Sequence, residues 1–99
     1  MLLVRLREAA LEDFKSIGRY TQKTWGREQR NTYLSSLNHT FKLLAREPEL
    51  GRSCDEIRPG YRKYRVSKHV VFYRLNDGFL EIVRILHGRM DVERHLTDE

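Results

Sequence analysis

The chain has 99 residues, 39% of them hydrophobic and 33% charged, enough for one domain with a modest core and no second one, so a single domain over 1–99 is expected. No apolar run approaches the roughly 20 residues of a membrane span, and the opening MLLVRLREAALEDF carries charge where a secretion signal needs an apolar centre; a cytoplasmic protein without a membrane partner is expected. The net charge of +5 suggests an acidic partner, either nucleic acid or protein, and the lone Cys54, beside Asp55 and Glu56, has neither a disulfide partner nor the cationic surroundings of a reactive thiol.

In chain order, Leu2, Val4 and Leu6 alternate with Leu3, Arg5 and Arg7, the period of a strand with one buried face. Leu11, Phe14, Ile17, Tyr20 and Trp25 then recur at helical spacing, and Gly26 marks a left-handed cap. Tyr33, Leu34, Leu37, Phe41 and Leu44 mark a second helix that stops before Pro48. A single glycine between the two helices leaves no room for a crossover, which predicts an antiparallel hairpin. Beyond the EPELG turn the period returns to two, with strands expected over 53–57, 61–66, 69–75 and 79–86. The connections Pro59-Gly60, Ser67-Lys68 and Asn76-Asp77-Gly78 are short enough to require antiparallel neighbours. In the last strand, strict alternation sends Phe79, Val83 and Ile85 one way and Leu80, Ile82, Arg84 and Leu86 the other.

Two helices cover only one face of such a sheet. The other face is expected to stay open, with Tyr64, Val66, Phe72, Ile82 and Leu86 set among arginines as a partner surface. Arg58, Arg62, Lys63, Arg65, Lys68 and Arg74 fall between Glu56 and Asp77 without an acid among them, which concentrates positive field there.

The ending EIVRILHGRMDVERHL holds the candidate chemistry. His87, Asp91 and His95 are four apart, but Gly88 breaks helical phase after His87; Asp91 reads as the N-cap of a short terminal helix, with Arg94 and His95 toward its end, and no metal or other cofactor is expected. RNA cleavage needs only a base, an acid and cations around one phosphate, and His87 with Arg65, Arg84 or Arg89 could supply them. Structural roles compete: Arg84 and Arg89 could pair with Glu81, Asp91 or Glu93, and His87 could hold the strand to the last helix.

The order strand, helical hairpin, meander, together with YTQKTWGREQRNTY, LLAREPELGRSC, KHVVFYRL and EIVRILHGRMDVERHL, resembles the ParE branch of the ParE/RelE toxins of bacterial type II toxin–antitoxin modules. The resemblance covers nearly the whole chain. It implies an α+β, two-layer fold: an antiparallel helical hairpin on one face of a mainly antiparallel sheet, the first strand beside the last, and a short C-terminal helix. It also implies a growth-inhibiting toxin of plasmid or chromosome maintenance. RelE-like members cleave messenger RNA on the ribosome, with His87 as acid or base and Arg65 and Arg84 as phosphate ligands in that alternative. ParE-like members poison DNA gyrase without nuclease chemistry. No tyrosine follows Tyr73, so the tail lacks an aromatic residue to stack on a base, which favours gyrase. The expected partners are DNA gyrase and an acidic antitoxin of the ParD or a related type, in a toxin–antitoxin hetero-oligomer that does not require direct nucleic-acid binding. The residues expected at partner surfaces are Arg62, Tyr64, Arg65, Phe72, Arg74, Ile82, Arg84 and Arg89.

Overall fold

The computed structural model describes residues 1–90 and 95–96. Strand β1 (Leu3–Leu6) leads into helices α1 (Glu8–Trp25) and α2 (Arg27–Arg46), then a 3-10 turn (Pro48–Leu50) and strands β2 (Arg52–Ser53), β3 (Arg62–Val66), β4 (His69–Asn76) and β5 (Phe79–His87). The sheet order is β1-β5-β4-β3-β2. β1 runs parallel to β5, and every other pair is antiparallel. Among the described residues, no helix is long and apolar enough to cross a membrane.

The hairpin of helices turns on Gly26. Its N–H donates to Gln22 O at 2.9 Å and its carbonyl accepts from Arg30 N at 3.1 Å, so one residue ends α1 and starts α2. Its φ of 97° is positive as expected, but ψ is 171°, an extended conformation open only to glycine rather than a left-handed helical cap. At the far end of α2 the chain is pinned by Tyr73 on β4. The Tyr73 hydroxyl donates to Pro48 O at 2.7 Å and accepts from Gly51 N at 2.9 Å. A Cβ at Gly51 would overlap that hydroxyl, which is the physical reason for glycine in the Pro48-Glu49-Leu50-Gly51 turn.

Two apolar clusters sandwich the sheet. On the helix side, Ile17, Leu37, Phe41 and Leu44 pack on Val71, Tyr73, Leu80, Ile82 and Ile85, with Tyr64 and Val66 at the margin. On the other side, Cys54, Tyr61, Phe72, Val83, Leu86 and Leu96 form a second cluster, with Ile57 and Val70 against it. This corrects the expected open face. Phe72 and Leu86 are buried there by residues of the 54–61 loop and by Leu96, while Ile82 is buried beneath the helices. Burying that much apolar area on a second side adds stabilisation that a two-layer sheet with one wet face would lack.

Two local differences from the expected strands explain the arrangement. Residues 54–57 are not strand: Ile57 N and Arg58 N both donate to Cys54 O, Gly60 N donates to the Asp55 carboxylate at 2.7 Å, and the loop folds over itself to bring Cys54 and Tyr61 into the second cluster. In β5 the register slips, with Phe72 opposite Arg84 but Tyr73 opposite Ile82, so Val83 is an extra residue. Such a bulge changes the side-chain alternation, which places Leu80, Ile82 and Ile85 together and Val83 with Leu86. His95 and Leu96 are helical, as expected of a C-terminal helix; the expected Asp91 cap and the Arg94 position lie outside the described residues.

Candidate functional site

The arginines near β5 divide into two groups. The first surrounds Glu81, a carboxylate 6% exposed near the start of β5. Pairing places Arg5 of β1 and Arg74 of β4 on either side of it. Arg74 Nε donates to Glu81 at 2.8 Å, Arg7 Nε at 3.2 Å, and Arg5 lies at 3.7 Å, stacked over the Phe79 ring at 4.2 Å. Burial alone pushes the Glu81 pKa up. The Arg74 hydrogen bond and the nearby Arg7 charge outweigh it, and the net pKa lies below the ordinary carboxylate value. Arg7 N also donates to Ile82 O at 3.0 Å, so this cluster clamps the edge strand to the sheet.

Beyond the end of β1, the edge of β5 is covered by α1. Asp13 accepts from Arg84 Nε at 2.7 Å and Nη2 at 2.9 Å, and from Ile85 N at 3.0 Å. That bidentate pair satisfies a backbone donor that the sheet leaves over and holds Arg84 against the helix. The sequence had suggested Glu81 or the tail as the partner of Arg84; the fold supplies Asp13 instead, and one of the two phosphate ligands of the nuclease alternative is engaged by a carboxylate.

The second group lies at the other end of β5. Arg65, Lys68, His87, Gly88 and Arg89 line a basin of about 320 Å³. His69 and His87 face each other in the first register pair of β4 and β5, with rings in edge contact at 5.5 Å. Tyr33 on α2 supports them: its hydroxyl lies 2.6 Å from His69 Nδ1 and donates to Val66 O at 3.1 Å. Burial, then the neighbouring His87, lowers the His69 pKa, against a smaller opposing effect of Asp13. His87 Nδ1 accepts from Arg89 N at 3.2 Å and its carbonyl from Met90 N at 2.9 Å, so the ring closes the turn after the strand. Arg65 Nε donates to Ser67 O at 2.9 Å, and Gly88 N donates to Lys68 O at 2.9 Å. Ser67 holds a positive φ of 54°, a conformation uncommon for serine that turns this carbonyl toward Arg65.

Of the residues expected at partner surfaces, the fold brings Arg65 and Arg89 together in the basin and keeps them exposed. Arg62 is tied to the turn, donating to Gly51 O at 2.7 Å. Tyr64 packs against the helix-side core; Phe72 and Ile82 are buried; Arg74 and Arg84 are committed to Glu81 and Asp13. Sequence reasoning missed Arg5 and Arg7. Their alternation with Leu2, Val4 and Leu6, combined with a first strand placed beside the last, was the signal that could have set them opposite Glu81. Among the described residues, no three His, Cys, Asp or Glu side chains are grouped to hold a metal. Burial, then Glu56, raises the Cys54 pKa, so this thiol stays protonated.

The arrangement of strand, helical hairpin and meander is shared with chains of solved toxin–antitoxin structures. A chain from the chromosomal ParDE system of P. aeruginosa superposes with a TM-score of 0.75 at 19% identity, covering 88% of this chain and 96% of that one. One from the RelBE2 complex of Mycobacterium tuberculosis gives 0.65 at 20% identity, over 87% and 96%. These define the class of fold. Sequence defines the family within it: residues 4–92 match the ParE toxin of the type II toxin–antitoxin system parDE, and the chain belongs to that family. It is 45% identical to Toxin ParE1 of Mycobacterium tuberculosis over 92 residues, 92% of this chain and 94% of that protein. It is also 37% identical to Toxin ParE1 of Caulobacter vibrioides over 92 residues, 93% and 95% of the two chains.

Proposed function

We propose that this type II toxin inhibits DNA gyrase by direct binding, without chemistry of its own, and is neutralised by a cognate antitoxin of the ParD or a related type. The observation that carries the reading is the family match across residues 4–92. The geometry supports it from the other side. A nuclease built on His87, Arg65 and Arg84 needs all three around one phosphate, yet Arg84 is held bidentately by Asp13, and His87 Nδ1 is occupied by the Arg89 N–H.

Antitoxin binding is supported by the neighbouring solved structures, which are toxin–antitoxin complexes. Of the apolar residues expected to anchor an antitoxin, Phe72, Ile82 and Leu86 are inside the protein and Tyr64 and Val66 are half-buried, so exposed residues such as Leu3, Leu11, Tyr20, Trp25 and Leu75 offer anchors, with arginines steering an acidic segment toward them.

The purified toxin added to gyrase and relaxed plasmid is expected to block supercoiling, and prior mixing with the antitoxin to restore it. In a parallel translation reaction, messenger RNA is expected to stay intact. Cleaved messenger with undisturbed supercoiling sinks the proposal in favour of the ribonuclease alternative.

A further inference from the structure

We propose that His87 is a proton-operated latch on the turn that follows β5: its neutral ring holds the turn closed, and its protonated ring opens it. The device depends on which nitrogens carry protons, and the contacts of the ring fix that. Nδ1 of His87 accepts from the Arg89 N–H at 3.2 Å, so the single proton of the neutral ring is on Nε2. This bond and the one from Met90 N to His87 O at 2.9 Å close the turn over Gly88 and Arg89. A second proton goes to Nδ1, because Nε2 already carries one. Nδ1 then becomes a donor facing the Arg89 donor, and two N–H groups cannot bond to each other.

The ring has little room to turn away from this conflict. His87 faces His69 in the cross-strand pair of β4 and β5, with the rings in edge contact at 5.5 Å. His69 is itself backed by Tyr33 of α2, whose ring lies 5.5 Å away and whose hydroxyl is 2.6 Å from His69 Nδ1. The hydroxyl has one proton and gives it to Val66 O at 3.1 Å, so in the 2.6 Å bond the donor is His69 Nδ1–H. Neutral His69 is thus satisfied as it stands and forms a fixed wall beside His87.

The wall stays neutral while the latch moves. Burial and the neighbouring His87 lower the His69 pKa and outweigh Asp13, whose carboxylate is already bonded to Arg84 and Ile85 N. Two charged rings in contact repel, so the pair takes one proton without the second, and the lowered pKa of His69 directs it to His87. The charged groups facing His87 among the described residues are Arg65 from β3, Lys68 from the turn before β4, and Arg89. They shift the pH at which the ring is protonated; the exchange of acceptor for donor at Nδ1 follows whatever charge surrounds it. Because the turn carries Arg89 into the basin with Arg65 and Lys68, opening it disperses these cations. Contacts made by this end of β5 are then tuned by pH, whichever partner makes them.

The test is NMR on the full-length toxin alone, so its failure leaves the gyrase reading standing. At about pH 7.5, ring nitrogen shifts are expected to show His87 protonated on Nε2 and His69 on Nδ1. Backbone order parameters of Gly88, Arg89 and Met90 are expected near about 0.85 at that pH and below about 0.6 once His87 is charged, at about pH 5. The Gly51 amide, held by the Tyr73 hydroxyl and by no histidine, is expected to stay near about 0.85 throughout. His87→Asn places an amide oxygen where Nδ1 accepts and cannot titrate, so the turn should remain ordered at both pH values. His87→Phe supplies no acceptor, so the turn should be loose at both. His69→Gln should leave the acid response in place, since the proton that matters is on His87. The proposal is overturned if neutral His87 carries its proton on Nδ1, or if order at 88–90 is unchanged by acid. It is equally overturned if His87→Asn responds to acid as wild type does, or if His69→Gln abolishes the response.

Discussion

The two ends of β5 carry the same residue types and use them in opposite ways. Around Glu81 and Asp13, arginines at β1, β4 and β5 are engaged by one buried and one half-buried carboxylate and hold the sheet together. At the His87 end, Arg65, Lys68 and Arg89 gather with no carboxylate among the described residues that line their basin. The difference teaches that an arginine's role here is set by whether the fold delivers an acid to it. A count of basic residues along the chain cannot tell a clamp from a binding surface.

The largest effect expected from breaking this contrast is at Glu81. Glu81→Gln leaves Arg5, Arg7 and Arg74 converging on a neutral amide. It is expected to cost about 3 kcal/mol in urea unfolding, at the lower end for a broken buried pair because the arginines themselves are partly exposed. Next comes Gly51→Ala. Its Cβ displaces the Tyr73 hydroxyl and disturbs both of that hydroxyl's bonds, for a loss of about 2 kcal/mol. Combining it with Tyr73→Phe should cost clearly less than the sum of the single changes, because the clash disappears with the hydroxyl. Asp13→Asn, which weakens the bidentate pair with Arg84 but keeps an acceptor for Ile85 N, is expected to cost about 1 to 2 kcal/mol.

Acid sharpens the same comparison. The folded pKa of His69 is lowered, so the unfolded chain takes up its proton first, and stability falls as pH drops through the ordinary histidine value of about 6.5. The folded pKa of Glu81 is also lowered, so its contribution is complete above its ordinary value and is lost only as pH falls below that, through the folded pKa. Stability against pH should therefore decline in two stages. His69→Gln is expected to flatten the first and Glu81→Gln the second, each checked by urea midpoints from pH 8 to 3.

The sequence showed where the chain must turn, because Gly26, Pro48 and Asn76-Asp77-Gly78 act locally: each restricts or frees the backbone at its own position. It could not show the slip at Val83. In a stretch as apolar as Phe79 to Leu86, either face accepts nearly any residue, so alternation carries no mark of an extra one. The error propagates to the site at Ile82, which lies beneath the helices rather than on the surface; Phe72 lies on the expected face but is covered there by residues of the 54–61 loop and by Leu96. The 54–57 segment failed for a related reason: its turn is held by Asp55 reaching Gly60 and by burial of Cys54 and Tyr61, contacts that no local period encodes. His87, Arg65 and Arg89 were legible as a group because short hairpin turns force the ends of β3, β4 and β5 together. Arg84 was not separable from them, since its partner Asp13 lies 71 residues away.

The central claim, that clamp arginines and basin cations differ in kind, is tested most directly by one paired measurement of equilibrium urea unfolding. Arg65→Gln with Arg89→Gln should leave the unfolding free energy within about 0.5 kcal/mol of wild type, as for surface changes that break no buried pair. Arg7→Gln with Arg74→Gln, which removes the two guanidinium groups bonded to Glu81, should cost about 3 kcal/mol or more. Equal losses in the two variants, or a larger loss from the basin pair, would contradict the account.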